Sequence, residues 1–191
     1  INDDNLAREI TAAGKSWRVY AEDLPNAGYT GGNSGNYVKR HNPFAYFNDV
    51  VNSSTQAANM VPFSQFASDL SAGTLPNFSF VVPNIDDDAH DGTLAQADSW
   101  LQSNIAPLLA SPQFQQDGLL IVVFDEGADV DVRHVGGQVA AVLAGPKVKQ
   151  GFRSTTFYQH ESTLRLIEQA LGLKTTLGNS AGASSMTEFF Q

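Results

Sequence analysis

Acidic and histidine side chains are grouped at three separated places in this sequence, each at the expected end of a strand or start of a helix. The groups are Asp86, Asp87, Asp88, His90 and Asp91, then Asp125 with Glu126, and finally His160. Carboxylate oxygens and imidazole nitrogens are ligands for zinc, calcium, magnesium, manganese and iron. If the groups meet at one edge of a sheet, they predict a site for a divalent metal ion and for an anion that the metal attracts.

Each group also has a simpler interpretation. Asp125 and Glu126 could be solvated acids that end a strand. The acids at residues 86–91 could form an Asx-rich turn in which Asp91 caps the following helix. His160 could be a polar residue at a helix start. The spacing also leaves open which acids of residues 86–91 lie beside the histidine of that group.

Basic residues are densest at Lys39-Arg40-His41, which closes a long irregular segment at residues 22–42. Ordered loops longer than about 12–15 residues are often functional, so Arg40 and His41 are candidates for binding an anionic substrate. The alternative is a solvated loop face. His134 lies in another polar loop, where the simple interpretation is again a solvated side chain.

Apolar patterns predict the elements that position these groups. The apolar run at residues 119–124 predicts a strand buried on both faces of a parallel sheet, with Asp125 and Glu126 just beyond its carboxyl end. Further strands are expected at residues 16–21, 78–82, 138–144 and 152–158, and helices at residues 6–13, 63–70, 93–110 and 160–171. This alternation predicts one α/β domain over residues 1–191, with a mostly parallel sheet flanked by helices. Ligands bind beyond the carboxyl ends of such strands.

The composition excludes several classes of function. The net charge of −9, from 20 acidic and 11 basic residues, argues against a nucleic-acid partner. The chain has no cysteine, so disulfides and thiolate chemistry are excluded. No apolar run approaches the roughly 20 residues of a membrane span. The chain starts at Ile1, so we expect that processing or truncation has removed any signal peptide.

Several motifs together resemble a known family. They lie at residues 12–25, 40–44, 75–84, 88–91, 97–101, 123–126 and 145–164. In this order they resemble the phosphoesterase family of bacterial acid phosphatases and phospholipases C, which belongs to the alkaline phosphatase superfamily. The resemblance covers nearly the whole chain.

The resemblance implies metal-assisted hydrolysis of phosphate esters on an alkaline phosphatase-like fold. Asp125 and Glu126 match the paired acidic metal ligands of the family, and Asp88 is the expected third ligand. His90 and His160 match its catalytic histidines. The residues expected to bind the substrate are Arg40, His41, Asp91 and His134. At Arg133-His134-Val135 the sequence departs from the Asp-His-Val of the family, because arginine replaces the acid.

A second departure is an absent section. Members of the family carry an earlier metal-binding glutamate near the first strand, followed by a serine or threonine nucleophile, and neither motif occurs in this chain. We therefore expect this chain to be the C-terminal two thirds of such an enzyme, either a truncated or proteolytic fragment or one piece of a nicked protein, with the nucleophile on an N-terminal segment of the same protein that partners it. The resemblance also implies a secreted or periplasmic enzyme. The alternative is a non-catalytic domain that keeps the fold and binds metal or phosphate.

Overall fold

The structure is a computed structural model that describes residues 1–128 and 130–191. Within these residues the five strands are β1 (Trp17–Ala21), β2 (Met60–Pro62), β3 (Phe78–Val82), β4 (Leu120–Val123) and β5 (Ala141–Ala144). The eight α-helices are α1 (Leu6–Ala12), α2 (Asn48–Val51), α3 (Ser54–Ala57), α4 (Ser64–Ala72), α5 (Leu94–Asn104), α6 (Ala106–Leu109), α7 (Pro112–Asp117) and α8 (His160–Leu171). Short 3-10 turns, including Lys39–His41 and Ser180–Gly182, complete the described segments.

A three-stranded parallel sheet forms the centre of the fold, in the order β2-β1-β3. Val19 of β1 lies opposite Met60 of β2 and Phe80 of β3, so the carboxyl ends of the three strands share one edge. The parallel α/β arrangement expected from the sequence is confirmed for these strands. β2 was not expected, because its three residues carry no pattern of their own and pair only through β1.

Alternation along β1 sends its side chains to two cores. Val19 packs on one face, where α1 contributes Ile10 and the segment after the long loop contributes Phe44. Tyr20 packs on the other face against Phe66 of α4 and Trp100 of α5. Helices therefore flank the sheet on both faces, as expected from the sequence.

β4 and β5 differ from the expectation. They form a separate antiparallel pair, with Leu120 opposite Ala144, and do not join the parallel sheet. Val123 and Val142 are 37% and 57% exposed, so the pair is not buried on both faces. The apolar run correctly predicted a strand, but a run of apolar residues specifies neither the direction nor the partner of the strand.

Smaller differences lie at the ends of elements. Residues 152–158 form no strand, although they are rich in β-formers. Asn5 caps α1 through a bond from the Arg8 N–H, and Thr93 caps α5 in the position expected for Asp91.

None of the helices found in residues 1–128 and 130–191 is both long enough and apolar enough to span a membrane.

Candidate active site

Asn84 organises the carboxyl edge of the parallel sheet. Its side-chain oxygen accepts hydrogen bonds from the backbone N–H groups of Asp86 and Asp87 at 3.0 and 3.1 Å. Its amide nitrogen donates to the Asp23 carboxylate at 2.9 Å, and its backbone N–H donates to Glu22 at 3.0 Å. Since Glu22 and Asp23 follow β1 and Asn84 follows β3, one amide side chain joins the two strand ends to the acidic loop.

Glu22 is a partly buried carboxylate behind that loop. It accepts one hydrogen bond from the Asn84 backbone and another from Nε1 of Trp100 at 3.0 Å. Burial raises the pKa of the Glu22 carboxyl, and the two hydrogen bonds only partly oppose the shift. The position of this carboxylate is therefore fixed by the sheet and by α5 together.

The acidic loop at residues 85–91 closes on itself. The backbone N–H of Asp91 donates to the carbonyl of Ile85 at 3.0 Å. At Gly92 a Cβ atom would lie 1.9 Å from the Asp86 carbonyl oxygen, so only glycine fits this close approach. Ala89 has a positive φ of 69°, which is unfavourable for a residue with a side chain and marks the sharp turn that precedes His90.

This loop and the end of the long loop bring four of the predicted residues together. Asp88 accepts a hydrogen bond from the backbone N–H of His90 at 2.9 Å, and its other oxygen lies 2.8 Å from Nδ1 of His41. The rings of His41 and His90 are 5.8 Å apart, and Arg40 lies 3.1 Å from Nε2 of His90. Asn36 ties the two loops through a 2.8 Å bond to Asp86.

The contacts of His90 define its tautomer. A guanidinium can only donate, so Nε2 of His90 accepts from Arg40. The proton of the neutral ring then lies on Nδ1, which donates to Asp91 at 2.8 Å. His90 thus presents an acceptor nitrogen next to a permanent positive charge, which is a suitable arrangement for binding an anion and taking or returning a proton.

Asp125, Glu126 and His160 form a second group. Nε2 of His160 lies 2.6 Å from the backbone carbonyl of Asp125, and because a carbonyl only accepts, this nitrogen carries a proton. One carboxylate oxygen of Asp125 accepts the Glu126 N–H at 3.1 Å. Both acidic side chains follow β4, as expected, and Glu126 is exposed.

His134 lies beside a neighbouring aromatic side chain. Its ring centroid is 4.7 Å from that of Phe157, and its backbone has a positive φ of 51°. Arg133 stands where the Asp-His-Val motif has its acid. It donates to Asp131 through Nε at 2.8 Å and Nη2 at 2.5 Å. This pairing holds the pKa of Asp131 well below its usual range.

Among the residues that the structure describes, no hydrogen bond or ion pair connects the loop group (Arg40, His41, Asp88, His90 and Asp91) with the β4 group (Asp125, Glu126 and His160). In the same described part of the chain, no three acidic or histidine side chains converge on a point that could hold a metal ion. The donors present have the right chemistry for a divalent metal, but fewer than three of them converge within the described residues.

Glu22 and Asn84 were missed by the sequence reasoning. A signal was available, because Glu22 and Asp23 directly follow the strand at residues 16–21 just as Asp125 and Glu126 follow β4. The linking role of the Asn84 amide carried no such signal, because it arises from contacts between residues about 60 positions apart.

Comparison with known proteins agrees with the resemblance. The Phosphoesterase family matches residues 1–174. The chain belongs to the Phosphoesterase family. The chain is 34% identical to a probable acid phosphatase of Kluyveromyces lactis, over 98% of this chain and 46% of the relative. It is also 34% identical to the phosphatidylinositol-3-phosphatase of Mycobacterium tuberculosis, over 97% of this chain and 58% of that relative.

A phosphate-repressible acid phosphatase of Penicillium chrysogenum is 33% identical over 83% of this chain and 40% of the relative. The chain therefore spans about half the length of these relatives. Its similarity to acid phosphatases identifies phosphate esters as the substrate class of its homologues.

Proposed function

We propose that this chain supplies the anion-binding and proton-transfer residues of an acid phosphatase-type phosphoesterase. The observation that carries the proposal is the contact of Arg40 with the acceptor nitrogen of His90 at the carboxyl edge of a parallel sheet, in a member of the Phosphoesterase family. Ligands of open α/β sheets bind at that edge. Phosphoryl transfer depends mostly on positioning and charge neutralisation, which these groups provide.

In the proposed reaction, Arg40 binds phosphoryl oxygens, and His41 lies next to it with its Nδ1–H donated to Asp88. Asp88 holds the His41 ring and the backbone of His90, so that both imidazoles keep their orientation. His90, held by Asp91, takes or returns a proton at Nε2. As an imidazolium held at Nε2 by the Asp125 carbonyl, His160 can pass its Nδ1 proton to the leaving-group oxygen and remain a neutral ring.

Asp125 and Glu126 are proposed ligands of a divalent metal, with Asp88 as the further ligand implied by the resemblance. A metal bound there would polarise phosphoryl oxygens and lower the pKa of a nucleophile. The nucleophile is proposed to come from a segment outside this sequence, and His134 is proposed to contact the substrate from the side of the β4 group.

The test uses the full-length gene product and p-nitrophenyl phosphate. Asp125→Asn should reduce kcat/KM by about 100-fold or more. Substitutions at residues that support a metal or stabilise charge in the transition state typically cost this much. His90→Asn should reduce it by about 100-fold through loss of proton transfer. Asp117→Asn at the exposed end of α7 is the matched control. Unchanged turnover by Asp125→Asn would refute the proposed role of the β4 group.

A non-catalytic binding domain is the second candidate. It is supported by the Arg40–His90 contact, which can bind a phosphate without a nucleophile. The two candidates are separated by the full-length product: phosphate binding with turnover supports the enzyme, whereas phosphate binding without turnover supports the binding domain.

A further inference from the structure

A cavity of about 290 Å³ lies at the amino edge of the parallel sheet, opposite the candidate active site. It is lined by the start of β1, by Asn59 just before β2 and by residues 74–76 ahead of β3. From Trp17 at the start of β1 to Glu22 beyond its end the strand extends about 16 Å. A small ion in this amino-edge cavity is therefore too far away to contact the residues that follow the strands.

The lining is basic, although the whole chain carries a net charge of −9. Lys15 and Arg18 are the charged residues that line the cavity, and no acidic residue is among the described residues of the lining. Arg18 is paired with Asp69 through Nη1. Lys15 is half-buried and forms no ion pair within residues 1–128 and 130–191. The charge of Lys15 is thus available to a bound anion.

Two side chains of the lining also carry enclosed N–H groups without an acceptor. Nε1 of Trp17 and Nε of Arg18 are buried and have no hydrogen-bond partner in the part of the chain that the structure describes. Trp17 as a whole is only 3% exposed. Both nitrogens can only donate, and buried donors in folded proteins nearly always have a partner. An oxygen atom that enters the cavity is the kind of acceptor that either donor lacks.

We propose that the amino-edge cavity is a second anion site, which binds a small oxyanion of the phosphate type. Lys15 supplies the opposite charge, and the N–H groups of Trp17 and Arg18 supply hydrogen bonds to the oxygens. Gln56 and Asn59 add amides to the same lining. Free phosphate and the phosphoryl group of a small ester share the chemistry that this site recognises. The site is separate from the phosphoryl site of the proposed function and does not depend on it.

The test follows the indole N–H signals of the full-length gene product by nuclear magnetic resonance while inorganic phosphate is added. The Trp17 signal reports the cavity, and Trp17→Phe identifies this signal by removing it. The Trp100 indole donates to Glu22 at 3.0 Å, so its signal reports the carboxyl edge of the sheet. Potassium chloride at the same ionic strength controls for the screening of surface charges.

We expect phosphate to move the Trp17 signal to saturation with a midpoint of about 1 mM, whereas chloride should not move it. Lys15→Met should raise the midpoint about tenfold by removing the charge, and Lys15→Arg should restore it. Lys147→Met replaces an exposed lysine beyond β5 and is the matched control, which should leave the midpoint unchanged.

A parallel titration with methylphosphonate, which carries the oxyanion on carbon, distinguishes the two sources of the anion. Tighter binding of phosphate assigns the site to the free ion, and tighter binding of methylphosphonate assigns it to the phosphoryl group of an ester.

A Trp17 signal that phosphate does not move, or that chloride moves equally, would overturn the inference whatever the Trp100 signal does. An unchanged midpoint in Lys15→Met would overturn it as well. A normal Trp17 response in a full-length product that does not hydrolyse p-nitrophenyl phosphate would support this second site and contradict the proposed function.

Discussion

Replacing Asn84 should loosen the acidic loop by an amount that the structure allows us to work out. Asn84→Ala removes two acceptor contacts to the Asp86 and Asp87 N–H groups and one donor contact to Asp23. Each hydrogen bond contributes about 1 kcal/mol net, and bonds to a charged group contribute about 1.5–3 kcal/mol. We therefore expect the free energy of unfolding to fall by about 3.5–5 kcal/mol.

Asn84→Asp is the matched variant, because it keeps the acceptor oxygen and replaces the donor that faces Asp23. Two carboxylates would then lie near the present 2.9 Å separation, with Glu22 close by. At a separation of about 4 Å such a pair repels by about 4 kcal/mol at an intermediate dielectric. Protonation of the introduced carboxyl relieves the repulsion and restores the hydrogen bond.

The repulsion gives this variant a pH dependence of known sign. Because neighbouring carboxylates raise the folded-state pKa of the introduced group, its contribution to stability is present below the ordinary carboxyl pKa and is lost as pH rises through the raised value. Asn84→Asp should therefore lose about 1–3 kcal/mol more at pH 8 than at pH 5, whereas the loss for Asn84→Ala should change little.

Urea-induced unfolding followed by tryptophan fluorescence measures both variants, since Trp17 and Trp100 are buried. The reasoning is refuted if Asn84→Ala unfolds within about 0.5 kcal/mol of the wild type, the range typical of surface substitutions. It is also refuted if the Asn84→Asp loss does not grow with pH.

Three further substitutions test other contacts by the same unfolding assay. Glu168→Ala should cost about 2–5 kcal/mol, because it leaves the buried Leu177 N–H and the Ser180 hydroxyl without their acceptor; a loss under about 1 kcal/mol would show that the C-terminal segment is not anchored there. Tyr20→Phe should cost about 1–3 kcal/mol by removing its 2.7 Å bond to Asp69, and an unchanged midpoint would contradict this. Since burial raises the pKa of Glu22, its contribution to stability declines as pH rises through the raised folded value, and Glu22→Gln should flatten that part of the pH profile; a profile as steep as that of the wild type would argue against it.

Local patterns explain which elements could be predicted from the sequence. β3 and α8 were placed with the bounds that the structure shows, because a dense apolar run between turn residues and a regular helical stripe are local signals. β2 and the antiparallel pairing of β4 with β5 were not predicted, because pairing depends on distant residues and not on the strand's own sequence.

The candidate site residues that could be predicted are those that follow a strand or are clustered in a long loop. Asp88 and His90 were found because they follow β3, and Arg40 and His41 because they are clustered in a long loop. The contact between the two pairs could not be read from spacing, since it depends on Asn36 and Asn84 holding separate loops together. That all predicted residues act at one site stays a prediction, because the loop group and the β4 group make no contact within the described residues.

The most direct measurement is a crystal structure of the full-length gene product with orthovanadate bound, since vanadate occupies the position of the transferred phosphoryl group. We expect oxygens of a single vanadate to lie within about 3.2 Å of the Arg40 guanidinium and of the imidazole rings of His90 and His160. A vanadate that contacts only one of the two histidines, or that binds away from the carboxyl edge of the parallel sheet, would contradict the proposed site.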